Sequence, residues 1–143
     1  LKTTIPLFQG AGAEVHSIRD ILQMDIYITN AVKTPKTEYA IDKNNIVNSL
    51  PYLEAELSLF PNIKVIMLMG DVAKKAFNMI TKKSTKKNVV PAVSTYKLRN
   101  SEIYYEGIRV MPSYIMTGGN ILIEKSKVTM ATEDVATMLE MIK

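Results

Sequence analysis

An asparagine at the end of a strand-like run is the residue in this sequence best suited to recognition chemistry. Asn30 follows the apolar, β-branched run Ile26–Thr29 and precedes the basic, proline-closed stretch Lys33–Pro35. Its side-chain amide offers both a hydrogen-bond donor and an acceptor, so it can recognise a partner that presents the complementary pair. An asparagine in this position also favours a turn, and the residue type alone does not decide between the two roles.

A cluster of lysines is the second group with chemical potential. The polar stretch TKKSTKKN has the composition of a loop and carries Lys82, Lys83, Lys86 and Lys87. Such a cluster can follow phosphate groups through long-range attraction. The formal net charge of +4 mildly favours a polyanionic partner. Ordinary soluble domains are also this basic, so a solvated loop is the other interpretation.

Several classes of site are excluded by composition. The chain has no cysteine, which rules out disulfides, thiolate zinc sites and iron–sulfur clusters. One histidine and scattered carboxylates give no metal-ligand spacing, and we predict neither a metal nor a cofactor. No GxGxxG, GxxxxGK[ST] or GxSxG motif occurs, which leaves little support for an unrelated nucleotide-binding domain or hydrolase.

Length and terminal sequence bear on organisation and compartment. A chain of 143 residues suits one domain, which we predict over residues 1–143. It starts with Leu1 rather than Met and soon enters the loop-like stretch Ile5–Gly12, which is consistent with an N-terminally truncated fragment. No apolar run approaches the roughly 20 residues that span a bilayer, and no signal peptide is visible. We therefore predict a cytoplasmic protein without a membrane partner.

Hydrophobic periodicity predicts helices that alternate with buried strands. The predicted helices are Gly10–Gln23, Lys43–Leu59 with Pro51 inside it, Val72–Ile80, and a last helix that starts at Thr132–Asp134. The predicted strands are Asp25–Thr29, Val65–Met69, and the pair Val89–Leu98 and Glu102–Met111 about a turn at Arg99–Ser101. Loops are predicted at 5–12, 35–44 and 112–120.

This alternation predicts the α/β class, with a three-layer α/β/α sandwich and a mainly parallel central sheet. Ligands of such sheets bind beyond the carboxyl ends of the strands. Asn30, Gly70 and the loop after Val110 all follow strand ends, so neighbouring strands would bring them to one edge. Gly70 suits a tight strand-to-helix turn, and the Asp71 carboxylate suits the exposed amides of a helix start.

Four segments, taken in order, resemble the uracil-DNA glycosylase superfamily. They are PLFQGAG, IYITNAVKTP, FPNIKVIMLMGDVAKKAF and GIRVMPSY, and together they extend from about Pro6 to Tyr114. YITNAVK is the most specific of them. The resemblance implies a DNA repair enzyme that excises uracil or a related damaged base, with DNA and uracil as partners.

The resemblance assigns roles to residues near the first two segments. Asn30 falls on the asparagine that reads uracil, whose adjacent O4 and N3–H match one side-chain amide. Phe8 is the candidate for the aromatic residue that stacks on the base, although strict alignment puts Leu7 there. Lys33, in the basic loop after Asn30, and the lysines of residues 82–87 are expected to hold phosphates.

The last segment falls on the family's His-Pro-Ser motif, with Met111 in place of the histidine. A thioether cannot donate the hydrogen bond that this histidine gives to the base. Ser113 is a candidate phosphate contact and otherwise a turn residue. Tyr114 belongs to the same DNA-binding loop, where Ile115 and Met116 are the candidates to wedge into the base stack.

The first motif of the family, with an acidic residue that positions the attacking water, should precede Pro6. Only five residues stand there and none is acidic. His16 does not replace it, because its position favours a helix surface or packing role. Two explanations stay open: the sequence lacks its N-terminal part, or this member does not perform the usual hydrolysis. The catalytic residues are therefore unassigned, and a catalytically impaired base-binding or nucleic-acid-binding module is the alternative function. The oligomeric state stays open.

Overall fold

Six helices and three strands make up the parts of the chain that the computed structural model describes, which are residues 4–29, 31, 43–99, 101–114 and 125–142. In chain order they are α1 Thr4–Gly10, α2 Ile18–Leu22, α3 Lys43–Ser58, β1 Val65–Met69, α4 Asp71–Thr85, α5 Thr95–Leu98, β2 Ile103–Tyr105, β3 Ile108–Ser113 and α6 Lys125–Met141. None of the described helices combines the length and apolar character needed to cross a bilayer.

The sheet has the order β1-β3-β2 and is mixed. β1 runs parallel to β3, with Val65 opposite Arg109 and Met69 opposite Ser113. β2 runs antiparallel to β3, to which the turn at Glu106–Gly107 connects it. The α/β class is therefore shown. The mainly parallel three-layer sandwich is not confirmed, because one of the two pairings among the described strands is antiparallel.

Alternate residues of β1 contribute to two apolar clusters. Val65 and Met67 pack against a cluster that includes Phe8, Val135 and Met138, so α1 and α6 cover this face. Ile66 packs against a second cluster, formed by Leu68, Phe77, Val90, Leu98, Ile103 and Val110, so α4 and α5 cover the opposite face. β1 thus packs against apolar clusters on both faces, as predicted, although Leu68 is the only one of its five residues that is fully buried.

The segment Asp25–Thr29 is not a strand, so that prediction is wrong. The segment does not pair with the described strands. Instead, two of its side chains form hydrogen bonds with α3. The Tyr27 hydroxyl and the Thr29 hydroxyl donate to Glu56 Oε2 at 2.6 and 2.7 Å. A cavity of about 780 Å³ lies between this segment and β1 and is lined by both. The β-branched composition therefore reflects the partial burial of alternate side chains, Ile26 and Ile28, and not strand pairing.

The N-terminal predictions are also wrong in detail. The stretch expected to be a loop at 5–12 contains α1, and the helix expected over Gly10–Gln23 is reduced to α2. Gly12 has φ 101°, a value outside the helical region, and Ser17 then starts α2 by accepting a hydrogen bond from the Asp20 amide. Helix α3 matches its prediction within one residue and continues through Pro51.

Residues Val89–Leu98 do not form the predicted strand, and the hairpin turn of the structure is not at the predicted position. Asn78 takes the place of a strand partner: its side chain donates to Val90 O at 3.0 Å and accepts from Val90 N at 2.9 Å. Thr95–Leu98 is instead the short helix α5. The hairpin turn falls at Glu106–Gly107, where φ is 50° and 81°.

Two helix boundaries differ from prediction. Helix α4 continues to Thr85, so Lys82 and Lys83 lie in its last turn and not in a loop. Lys86 ends the helix with φ 64°. Helix α6 begins at Lys125 rather than at Thr132, although its apolar stripe is the predicted one, with Val135, Met138, Leu139 and Ile142 in the core.

Candidate functional site

A pocket of about 510 Å³ lies where β1 and β3 end side by side. The Gly70 amide donates to Ser113 O at 3.0 Å and continues the parallel pairing beyond Met69. The wall of the pocket comes from β3, α4, α5, α6 and the residues beside them, namely Gly70, Asp71, Lys74, Val93, Ser94, Thr95, Tyr96, Ser113, Tyr114 and Lys127. This is the edge of an α/β sheet at which ligands generally bind. The predicted meeting of Gly70 with the end of β3 is confirmed.

Gly70 sets the geometry of the strand-to-helix turn. Its φ of 104° and ψ of 172° fall in a region that is essentially restricted to glycine. The chain therefore reverses within one residue, and Asp71 becomes the first residue of α4 at the pocket wall. A residue with a Cβ would be strained here, which explains the GD pair after the apolar strand.

Asp71 and Lys74 form an ion pair at the pocket wall. Lys74 Nζ lies 2.9 Å from Asp71 Oδ1 and also donates to Thr95 Oγ1 at 2.8 Å. The Asp71 carboxylate thus binds a lysine one turn along α4 rather than the exposed amides of the helix start. The hydrogen bond from Lys74 lowers the pKa of Asp71 below its ordinary value of 3.8.

This ion pair predicts a small, pH-dependent contribution to stability. Because the folded-state pKa is lowered, the contribution is present above about pH 4 and is lost as the pH falls through the folded-state pKa. The Asp71 side chain is 79% exposed, so solvent screening limits the effect. Asp71→Asn should lower the free energy of unfolding by at most about 1 kcal/mol at pH 7. Urea denaturation at pH 7 and pH 2.5 measures this, and a difference that is the same at both pH values contradicts the assignment.

A buried charged network supports the end of β3 from behind. The fully buried Ser113 hydroxyl donates to Asp134 Oδ2 at 2.5 Å, and Arg99 Nε donates to the same oxygen at 2.9 Å. Arg99 Nη2 also donates to Met130 O at 3.1 Å. The Asp134 carboxylate raises the pKa of the Arg99 guanidinium, which stays charged. The network joins β3, α6 and the residue after α5.

The pocket mouth carries aromatic and cationic side chains. Lys127 Nζ lies over the Tyr114 ring, 5.4 Å from its centroid. The Tyr96 ring is 64% exposed on α5 and lines the same pocket. Among the described residues, the lining of this pocket combines two lysines, one carboxylate and two aromatic rings, a set that can hold an anion and a flat apolar group together.

Two of the residues singled out from the sequence lie in the apolar core. Phe8 is 2% exposed and Met111 is 7% exposed, and both belong to the cluster that Val135 and Met138 complete. Phe8 also lines the larger cavity beside β1, together with Thr29 and Ala31. A stacking role for Phe8 stays a prediction. Met111 brings no hydrogen-bond donor to the pocket, because its side chain packs against helices α1 and α6.

The other predicted residues divide into three groups. Ser113 and Tyr114 lie at the pocket, but a phosphate contact by Ser113 stays a prediction that requires its hydroxyl to leave Asp134. The lysines at 82, 83, 86 and 87 are exposed at the C-terminal end of α4, about 16 Å or more along the helix from its start at the pocket. Lys83 pairs there with Glu54. The remaining candidates, Asn30, Lys33, Ile115 and Met116, lie outside the described residues.

Sequence reasoning missed Lys74, Tyr96, Arg99, Lys127 and Asp134. Lys74 had a signal, since it follows Asp71 by three residues on a predicted helix and such neighbours face each other. Arg99 and Asp134 are 35 residues apart, and no local pattern connects them. Their partnership depends on tertiary packing.

A sequence model of the Uracil DNA glycosylase superfamily matches residues 6–120. The chain belongs to the uracil DNA glycosylase superfamily. No curated protein and no solved structure gives a significant match to it. The superfamily match includes β1, β3 and most of the pocket wall, whereas Lys127 and Asp134 on α6 lie beyond it.

Membership of the uracil DNA glycosylase superfamily suggests a hydrolytic, glycosylase-type function, and proteins of this superfamily act on DNA. Most of the pocket wall, but not Lys127, lies within the part of the chain that carries the family relationship. Its cationic and aromatic lining is consistent with a nucleic-acid ligand.

Proposed function

We propose that this protein excises uracil, or a related damaged base, from DNA by hydrolysing the N-glycosidic bond. The observation that carries the proposal is the pocket at the common carboxyl edge of β1 and β3, inside a chain of the uracil DNA glycosylase superfamily. Its volume of about 510 Å³ is in the range of small-molecule sites. The target base would leave the stack and enter it, since chemistry on a base requires extrusion from the duplex or a single-stranded substrate.

Asn30 is the proposed base-reading residue. Its amide would donate to uracil O4 and accept from N3–H, whereas cytosine presents the opposite pattern. The residues on either side of it are anchored. Thr29 donates to Glu56 on α3, and Ala31 packs against the cluster formed by Ile46, Leu50 and Ala76. Both neighbours line the larger cavity beside β1, so base reading by Asn30 requires the base to reach beyond the pocket at the ends of β1 and β3.

Bond cleavage would place opposite charges on the two fragments. Uracil leaves with the electron pair of the C–N bond and the sugar passes through an oxocarbenium-like state, as in glycoside hydrolysis. Water then adds to the anomeric carbon and gives up a proton to solvent or to the uracil anion. Asp71 is the carboxylate in the lining of the pocket, and its lowered pKa keeps it ionised. We propose that it stabilises the cationic sugar, while Lys74 and Lys127 attract the phosphates.

Uracil release from single-stranded DNA tests this function. The wild-type protein should release free uracil, detected by mass spectrometry and by alkaline cleavage of the strand. Asn30→Asp replaces the amide donor with an acceptor and should lower the rate by about 10- to 150-fold, as for loss of one hydrogen bond to a buried polar group. Asn88→Asp, at an exposed position, makes the same charge change and should keep the rate. Absence of release by the wild type, or equal rates for wild type and Asn30→Asp, contradicts the proposal.

A binding module without hydrolytic activity is the second candidate. The observation that favours it is Met111, whose buried thioether can neither reach nor donate to a base in the pocket. This candidate predicts that uracil-containing DNA binds without base release and that affinity falls steeply with salt. Fluorescence anisotropy at 50 and 200 mM salt measures the slope, and an affinity that does not change with salt argues against it.

A further inference from the structure

Tyr96 is an exposed aromatic ring fixed at the edge of the pocket. Its side chain is 64% exposed, and its neighbour Val93, in the same stretch of the wall, is also exposed. Neither the sequence patterns nor the superfamily's motifs give this ring a role. A large exposed ring beside a pocket is a candidate contact for a ligand.

The short helix that carries Tyr96 is held on three sides. Thr95 is buried and accepts a hydrogen bond from Lys74 Nζ at 2.8 Å. Leu98 is buried in the cluster below the sheet, and Arg99 binds Asp134 on α6. The backbone under the ring is therefore anchored, and a tyrosine side chain loses little conformational entropy on binding because it has only two rotatable angles.

The charges around the ring favour a nucleic acid. Lys127 and Lys74 line the pocket with Tyr96, and Asp71 is the carboxylate among the described lining residues. Because Asp71 and Lys74 form an ion pair, the excess positive charge of this lining comes from Lys127. Lysines that hold phosphates beside an aromatic ring that stacks on a base form the usual arrangement for single-stranded nucleic acid. A flat apolar protein surface would use the ring but not the lysines.

We propose that Tyr96 stacks on an unpaired base of the DNA strand next to the candidate site, which makes single-stranded or locally opened DNA the preferred ligand. This inference rests on the proposed function in that the ligand is DNA. It does not require base excision, because stacking on the ring precedes any bond cleavage.

Binding of an unmodified strand tests the inference separately from excision. The probe is a fluorescently labelled 12-residue oligothymidine strand, and the measurement is its anisotropy at 50 mM salt with wild type and three variants. Tyr96→Ala should raise the Kd by about 5- to 150-fold, the range for loss of one stacked base. Tyr96→Phe keeps the ring and should bind within about twofold of wild type. The control Tyr52→Ala removes an equally exposed ring on α3 and should have no effect.

Each outcome has a distinct meaning once circular dichroism shows that the variants are folded. Wild-type affinity in Tyr96→Ala overturns the inference, leaves the proposed function intact and points to a protein contact for the ring. Equal losses in Tyr96→Ala and Tyr52→Ala, or a loss in Tyr96→Phe as large as in Tyr96→Ala, overturn it as well. No binding by the wild type contradicts the DNA ligand itself. Binding that depends on Tyr96 without uracil release sustains the inference while the hydrolytic function fails.

Discussion

Asp134→Ala is expected to lower the free energy of unfolding by about 3–5 kcal/mol. The carboxylate accepts hydrogen bonds from Ser113 and Arg99, and all three side chains are almost completely removed from solvent. Its removal leaves the Ser113 hydroxyl without its acceptor and the Arg99 guanidinium with only Met130 O and the more distant Glu133, in a region largely shielded from water. An uncompensated buried charge is among the most destabilising changes in a folded protein. Urea denaturation at pH 7 measures the loss.

The neighbouring acid provides a matched control. Glu133 Oε2 lies 3.9 Å from Arg99 Nη2, but the Glu133 side chain is largely exposed. Glu133→Ala should therefore cost less than about 1 kcal/mol. Asp134→Asn keeps one acceptor oxygen and should give an intermediate loss, which remains measurable if Asp134→Ala does not fold. Equal losses for Glu133→Ala and Asp134→Asn would contradict the network of Ser113, Asp134 and Arg99.

Phe8→Ala is expected to cost a similar amount, about 3–5 kcal/mol. The ring is 2% exposed and packs among Val15, Ile21, Met111 and Val135. Its truncation removes buried apolar surface and leaves a cavity that α1 and α6 cannot close completely. The loss of stability, measured in urea, should therefore be as large as that of any core aromatic residue.

Phe8→Leu separates this packing role from a stacking role on the base. Leucine fills most of the site, so the loss of stability should be on the order of 1 kcal/mol. It has no aromatic face, so a base could no longer stack on it. Because Phe8 lies in the core, we expect Phe8→Leu to keep the wild-type rate of uracil release per folded molecule. A fall of tenfold or more would support the stacking role that the family resemblance gives to this residue.

Local signals in the sequence predicted the parts of the fold whose physics is local. Val65–Met69 is an unbroken apolar run that forms β1, and Gly70, which ends it, lines the pocket. The helical spacing in Lys43–Leu59 gave α3 within one residue. In both segments, the local propensity of the residues and the packing in the folded protein favour the same element, so the prediction succeeds.

Tertiary contacts overrode local preference elsewhere. The β-branched run before Asn30 binds Glu56 instead of a neighbouring strand. Asn78 satisfies the backbone of Val90, where a strand partner was expected. Strand propensity measures how well a side chain suits a half-buried surface. It does not predict which two backbone segments will form hydrogen bonds with each other.

The candidate site shows the same division. The meeting of Gly70 with the end of β3 follows from the general rule for parallel strands and was predictable. Tyr96 on α5 and Lys127 and Asp134 on α6 complete the site, and no local pattern predicts that these two segments meet. Long-range packing places them, and the superfamily match does not include the last two.

The most direct test of the account is hydrogen exchange of the backbone amides with and without a single-stranded uracil-containing oligonucleotide. If the pocket at the carboxyl ends of β1 and β3 is the DNA site, the ligand should slow exchange in segments 70–74, 94–98 and 113–114. Slower exchange confined to segments 24–29 and 57–61, which line the larger cavity, would contradict the account, because it would place the DNA on the other side of β1.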